Sequence, residues 1–124
     1  MQTKKITIEE AINTVNSINT IFSQNKFPLD IAFKFSDLLD VLKPIKKNFD
    51  EVTRKRAEEL GTVDEDGNIA LGKNSLQLTE EMNKLSAQEK EIEFTPINYK
   101  DIKHIKIEPV LLSAIRWCIN MKKK

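Results

Sequence analysis

The feature that most constrains the fold is a long run of apolar residues between Pro28 and Leu60, spaced for one face of a helix. These residues recur at intervals of three and four, which places them on one side of a 3.6-residue helix. The stripe consists of Phe35, Leu38, Leu39, Leu42, Ile45, Phe49, Val52 and Leu60. One polar residue, Arg56, interrupts it. The spacing predicts one very long helix, or two helices that share a face.

Two prolines and a glycine punctuate this stretch. Pro28 fits the first helical position, where its missing N–H costs nothing, and Gly61 suits a C-terminal cap. Pro44 lies in the interior, where its ring clashes with the carbonyl four residues earlier. Because the apolar register continues through Pro44, we expect a kink or a brief break there, with both halves packed on the same core.

Shorter helices and turns are predicted on either side of the long stretch. Thr7 and Glu10 form a capping box, which predicts a helix from Ile8 to about Gln24. The dipeptide at 66–67 is Asp-Gly, a strong signal for a hairpin between Val63 and the apolar pair at 69 and 71. A further helix is expected to begin at a Thr79 cap.

The hairpin turn also invites a calcium interpretation. Asp64, Asp66 and Asn68 fall at the first, third and fifth positions of a calcium loop. The glycine position of such a loop is Ile69 here, and the bidentate glutamate position is Ser75. The sequence therefore predicts no calcium site, and no other metal site.

The pattern changes to alternation after residue 90. Ile92 and Phe94 alternate with polar residues, which is typical of a half-buried strand, and Ile105 and Ile107 suggest a second strand. With the hairpin, these strands are expected to form a small antiparallel sheet against the helices. An acidic run along the first strand is interpreted as a solvated charge run; its members are Glu89, Glu91 and Glu93.

The last predicted helix begins at Pro109 and covers Val110 to Met121. Its apolar residues are not confined to one stripe, which indicates burial on several sides or contact with another chain. The candidate interface is the strip Val110, Ala114, Trp117 and Met121, because tryptophan and methionine are enriched in interface cores. The alternative is that these side chains fill the domain's own core.

The overall composition fits a single α+β domain over residues 1–124, mainly α, with about four helices and a small antiparallel sheet or hairpin. The formal net charge of +1 creates no strong field for nucleic acid or an anionic membrane. Cys118 is the one cysteine, which indicates a reducing compartment. No stretch has signal-peptide or membrane-span character, so we expect a cytoplasmic protein without membrane contact.

The order of elements resembles a group of small proteins of unknown function encoded by tailed bacteriophages and prophages. The resemblance extends from about Phe27 onward and carries no catalytic motif. Its features are Phe27-Pro28 opening the long helix, Ala32, Arg54-Lys55-Arg56, the DEDGN turn at 64–68, the glutamate-rich segment 80–85, the strand 92–97 and Ile107-Glu108-Pro109 before the final helix. The resemblance implies a short accessory protein of phage origin, in the host cytoplasm or the virion, and supplies no functional residues.

Three classes of function stay open, and an enzyme ranks below all of them. No P-loop, nucleophile elbow or dinucleotide-binding turn occurs, and one histidine cannot build a zinc site or a histidine triad. No cofactor and no catalytic residue is predicted. An interaction or assembly protein, with a protein partner or self-association, ranks first. An inhibitor that sequesters a host factor or ligand, in a pocket between the long and C-terminal helices, ranks second.

A nucleic-acid-binding protein ranks third. It would use a candidate basic patch on the outer face of the long helix. That patch consists of Lys46, Lys47, Arg54, Lys55 and Arg56. Acidic residues are interspersed among these bases, which favours solvation and intrahelical pairs over a phosphate track.

Overall fold

The computed structural model describes residues 2–120, in which five α-helices and six short strands alternate. The elements, in chain order, are β1 (Gln2–Thr7), α1 (Ile8–Gln24), α2 (Leu29–Leu60), β2 (Thr62–Val63), β3 (Ile69–Ala70), α3 (Ser75–Ser86), β4 (Glu89–Phe94), β5 (Ile97–Asn98), α4 (Tyr99–Ile102), α5 (Pro109–Ile115) and β6 (Ile119–Asn120). The predicted class, mainly helical α+β, is confirmed.

The first helix forms as its capping box predicts. The Thr7 hydroxyl accepts a hydrogen bond from the Glu10 N–H at 3.1 Å, and the Glu10 carboxylate accepts one from the Thr7 N–H at 3.2 Å. The helix begins at Ile8 and ends at Gln24, so both predicted bounds are confirmed. Its buried residues follow the helical period and face α2.

The long helix α2 is a single helix of 32 residues that runs without a break through Pro44. Pro28 is the residue before the first turn, one position earlier than predicted. The N-terminal half buries the predicted stripe through Phe35, Leu38, Leu39 and Leu42. In the C-terminal half the stripe is less covered than predicted, because Ile45, Phe49 and Leu60 are only half-buried and Val52 is exposed.

A strand that the sequence interpretation missed completes the larger sheet. β1 pairs with β4 in antiparallel register, with Gln2 opposite Phe94 and Thr7 opposite Glu89. Ile6, Ile92 and Phe94 turn into the core from this sheet. The predicted strand at Ile105 and Ile107 is wrong, since that segment has no ladder partner and forms an irregular connection before α5.

The hairpin at the end of α2 forms as predicted, but it is separate from the β1–β4 sheet. Gly67 has a φ of +82°, which the tight turn requires. Gly61 does not adopt a left-handed cap. A Cβ added there would lie 2.7 Å from the Ala70 carbonyl oxygen, so glycine allows the hairpin to lie against the end of α2.

Two helix boundaries differ from the predictions. α3 begins at Ser75, and Thr79 lies inside it, where its hydroxyl donates to the Ser75 carbonyl instead of capping the helix. The C-terminal helix ends at Ile115, and a 3₁₀ turn over Arg116–Cys118 leads into β6, which pairs in parallel with β5. That pairing with β5 replaces the last turns of the predicted helix.

Replacement of Pro44 tests whether the proline inside α2 lowers the free energy of unfolding. Pro44 is exposed and removes one hydrogen bond from the middle of α2. We expect Pro44→Ala to raise the free energy of unfolding by about 1–3 kcal/mol, measured by urea denaturation. Lys43→Ala, at the exposed neighbouring position, should change it by less than about 0.5 kcal/mol. A loss of stability in Pro44→Ala would contradict this interpretation.

Candidate protein interaction site

The structure divides the strip predicted as an interface. Val110 is 75% exposed at the start of α5, whereas Ala114 and Trp117 are half-buried. Met121 lies outside the described residues. The strip is therefore not one continuous exposed face within residues 2–120.

Trp117 is turned toward the body of the protein. Its Nε1 donates to the Thr14 hydroxyl oxygen at 2.8 Å, and its ring meets the Phe94 ring edge-on at a centroid distance of 5.1 Å. Lys4 Nζ lies 5.7 Å from the ring centroid, within cation–π range. Trp117 thus joins α1, β1 and β4, which favours the alternative that it packs within the domain.

We expect Trp117→Phe to lower the free energy of unfolding by about 1–2 kcal/mol, because it removes one hydrogen bond and part of the packed ring. Thr14 keeps its bond to the Glu10 carbonyl at 2.7 Å, so the hydroxyl is not left unpaired. Chemical denaturation measures the change, with Val110→Ala as a control at an exposed site. Equal stability of Trp117→Phe and wild type would show that Trp117 is not a packing residue.

Cys118 is a buried thiol with a structural role. Its Sγ donates to the Ile115 carbonyl at 2.8 Å, and 1% of the residue is exposed. Loss of solvation on burial raises the pKa of the thiol from 9.0 to about 12. Cys118 therefore packs as a small buried side chain.

The raised pKa keeps Cys118 protonated near neutral pH, and the thiolate is the reactive form. We expect iodoacetamide at pH 8 to alkylate the folded chain more than about a hundredfold slower than the urea-unfolded chain, measured by mass spectrometry. This pKa shift contributes to the free energy of unfolding, because the unfolded chain loses the thiol proton more readily than the folded one. The contribution is fully present below pH 9.0 and is lost as the pH rises toward 12. Rapid labelling of the folded chain would contradict the burial of this side chain.

The candidate basic patch is interleaved with carboxylates. Lys46 pairs with Asp50 at 3.0 Å, and Arg54 with Glu58 at 3.2 Å, both one turn apart on α2. Arg56 bonds across to α3 instead of pointing into solvent with the others. Three of the five positive charges of the candidate basic patch, those of Lys46, Arg54 and Arg56, are therefore paired with carboxylates.

The distal half of α2 and the helix α3 form a sparsely buried part of the fold, here named the arm (residues 45–60 and 75–86). Within α2, which the structure describes in full, Ala57 is the one buried residue after Leu42. A cleft of about 210 Å³ runs between the two helices of the arm. Its lining is mainly apolar and consists of Val52, Thr53, Arg56, Leu78, Glu81, Met82 and Leu85.

Polar groups lie at this cleft, and a hydrogen-bonded ion pair links its two helices. Arg56 Nε donates to both carboxylate oxygens of Glu81, at 2.9 and 3.1 Å, and its NH1 donates to Glu59 at 3.0 Å. These hydrogen bonds, the one to Glu81 first, raise the pKa of Arg56. Thr53 has a buried hydroxyl oxygen with no hydrogen-bond partner in the described part of the chain. The cleft thus combines an open apolar surface, an ion pair and an unpaired hydroxyl.

Sequence reasoning found part of this site. The sequence shows that the polar residue Arg56 interrupts the apolar stripe. Its partner Glu81 lies 25 residues away, and no local pattern links the two. Val52 was assigned to the core, whereas 54% of it is exposed beside the cleft. The missing signal is how far the neighbouring helices cover α2, which helical periodicity does not report.

Other features of residues 2–120 add no chemistry to the arm. No described helix combines the length and apolarity needed to cross a bilayer. Within the same residues, no group of three or more His, Cys, Asp or Glu side chains is placed to hold a metal ion. Asp64 instead accepts hydrogen bonds from the N–H groups of Asp66 and Asn68, both at 2.9 Å.

Comparisons with protein-family models, with curated proteins and with solved structures found no match. Function is therefore inferred from the chain's own residues.

Proposed function

We propose that this chain is a small non-enzymatic accessory protein of phage type, which acts in assembly through protein–protein contact, and that the arm pairs with the arm of a second copy. The observation that carries the proposal is the apolar cleft of the arm, which leaves Val52 54% exposed above Leu78, Met82 and Leu85. A cleft of this volume is smaller than a typical small-molecule site of roughly 300–1,000 Å³. A protein surface fits it better than an enclosed ligand.

The charge of the arm supports a second copy as the occupant. The arm carries six basic residues, Lys46, Lys47, Arg54, Lys55, Arg56 and Lys84. It carries six acidic residues, Asp50, Glu51, Glu58, Glu59, Glu80 and Glu81. A surface with balanced charge does not repel its own copy and does not attract a strongly charged partner. Two helical hairpins related by a twofold axis would form a four-helix arrangement, with the same cleft buried on both copies.

The two other classes of function have weaker support. A sequestering protein was expected to hold its ligand between α2 and the C-terminal helix, but α5 packs mainly against α1. A nucleic-acid-binding protein would need the basic patch, and its Lys46 and Arg54 are paired with Asp50 and Glu58. No specific observation favours either class over self-association.

Sedimentation velocity over a range of concentrations tests the proposal. We expect the wild-type chain to associate to a dimer, and Val52→Asp to shift it to a monomer, because a carboxylate would be buried in the apolar centre of the contact. Val52 is exposed in the monomer, so the substitution should leave the helical content measured by circular dichroism unchanged.

Two matched substitutions place charge on other exposed apolar side chains. Val110→Asp tests the strip predicted from sequence, and Phe33→Asp tests the N-terminal part of α2, where Phe33 is 62% exposed. Both variants should remain dimeric. A wild-type chain that stays monomeric at high concentration, or a dimer disrupted by Val110→Asp but not by Val52→Asp, would overturn the assignment to the arm.

A further inference from the structure

The β1–β4 sheet has an outer edge whose hydrogen-bonding groups can be assigned from its register. The Ile8 N–H donates to the Gln88 carbonyl at 3.0 Å, directly after the last ladder pair, Thr7 and Glu89. In an antiparallel ladder, hydrogen-bonded and non-hydrogen-bonded pairs alternate. The even-numbered residues of β4 therefore bond to β1. The N–H and C=O groups of the odd-numbered residues point away from β1.

Those outward groups belong to Glu89, Glu91 and Glu93. Their backbone N–H and C=O groups lie outside the ladder with β1, and they have no other hydrogen-bond partner within residues 2–120. All three residues are exposed, whereas Ile92 and Phe94 between and beside them are buried. The outer edge of β4 is thus an open strand edge, while Ile92 and Phe94 pack the other face of the strand against the core.

The side chains on the exposed face of the sheet define what would fit this edge. Three glutamates stand at alternate positions on β4, and β1 places Thr7, Lys5 and Thr3 opposite them in turn. Lys5 opposite Glu91 is a favourable cross-strand pair. One lysine faces three glutamates, so two negative charges on this face have no counterpart across the ladder.

We propose that the outer edge of β4 binds an extended basic segment of a partner protein as a third, antiparallel strand, with lysine or arginine opposite Glu89, Glu91 and Glu93. Main-chain hydrogen bonds supply affinity in such strand addition, and alternate side chains supply specificity. Each basic residue of the segment would lie opposite a glutamate on the outer side of β4, as Lys5 of β1 lies opposite Glu91 on the other side.

The charge of the edge argues against a second copy of this chain as the occupant. Two β4 edges paired about a twofold axis would bring like-charged glutamates into opposition, which is destabilising. The outer edge of β1 is shorter, because the Thr7 N–H already donates to Glu10 and leaves Thr3 and Lys5. The proposed strand addition is independent of the pairing proposed for the arm.

A peptide titration on the full chain tests this inference. The probe is a seven-residue peptide, acetylated and amidated, in which lysine and threonine alternate. Binding is followed by nuclear magnetic resonance together with amide hydrogen exchange. We expect the Glu91 and Glu93 amides to exchange freely in the protein alone and to become protected when the peptide binds, since they then donate to the added strand.

A second peptide with the same charge and N-methylated lysines separates strand addition from simple charge attraction. Its lysine N–H groups cannot bond to the β4 carbonyls, so binding should weaken by at least about tenfold. Glu91→Lys should weaken binding of the unmodified peptide by at least about fivefold. Glu65→Lys, an equal charge change in the exposed hairpin turn, should leave it unchanged.

Three results would overturn the proposal. Equal binding of the two peptides would show charge attraction alone. Protection of the Thr3 and Lys5 amides instead of those of β4 would place the peptide on the wrong edge. Absence of binding at low salt would remove the site. Because the exchange readout is local to β4, each result is distinguishable from a failure of the arm to dimerise.

Discussion

The unequal length of the two main helices determines most of this structure. α1 has 17 residues and spans about 25 Å, whereas α2 has 32 residues and spans about 48 Å. The connection at 25–28 is short, so α1 returns along α2, and a groove between the two helices reaches Asp50 and Glu51. Phe35 and Leu42 are buried in the N-terminal half of α2, whereas 54% of Val52 is exposed. The distal part of α2 packs against α3, and these two segments form the arm.

The chain compensates for that mismatch with polar contacts where apolar cover is missing. Arg56 occupies the core-facing register of α2, and its two hydrogen bonds to Glu81 tie α3 to the long helix. The Asn74 side chain donates to the Leu60 carbonyl and caps the free end of α2. Partly exposed ion pairs contribute little stability each, but the Arg56 Nε–H is shared by both Glu81 oxygens and so orients the two side chains. The arm is therefore oriented by directional contacts in addition to the burial of Ala57 and Leu78.

The sequence predicted those parts of the fold that depend on local chemistry. The capping box set α1, the Asp-Gly pair at 66–67 set the hairpin, and the apolar stripe set α2. The parts that it missed depend on partners distant in the chain. β1 reads as a polar terminus with two lysines and becomes a strand because β4 lies beside it, 82 or more positions later. Likewise, α5 ends at Ile115, before the predicted end, and Ile119 pairs with Ile97 instead of continuing the helix.

The same distinction explains why the candidate site was only partly visible. Helical periodicity reports which side chains share a face, but not how much of that face another element covers. In a helix of 3.6 residues per turn, Val52 lies about 80° around the axis from Leu42. Leu42 is fully buried, whereas 54% of Val52 is exposed. Trp117 shows the converse, since a residue type enriched at interfaces is here held by Thr14 and Phe94.

The two proposed contact surfaces differ in physical character. The cleft of the arm is apolar at its centre and its charges balance, which suits a copy of itself. The outer edge of β4 is polar and has backbone groups without partners, and the face that carries Glu89, Glu91 and Glu93 is acidic, which opposes its own copy and favours a basic strand. The arm cleft is built on α2 and α3, and the strand edge on β4. The two proposals therefore assign self-association to one element of the chain and recognition of a different protein to another.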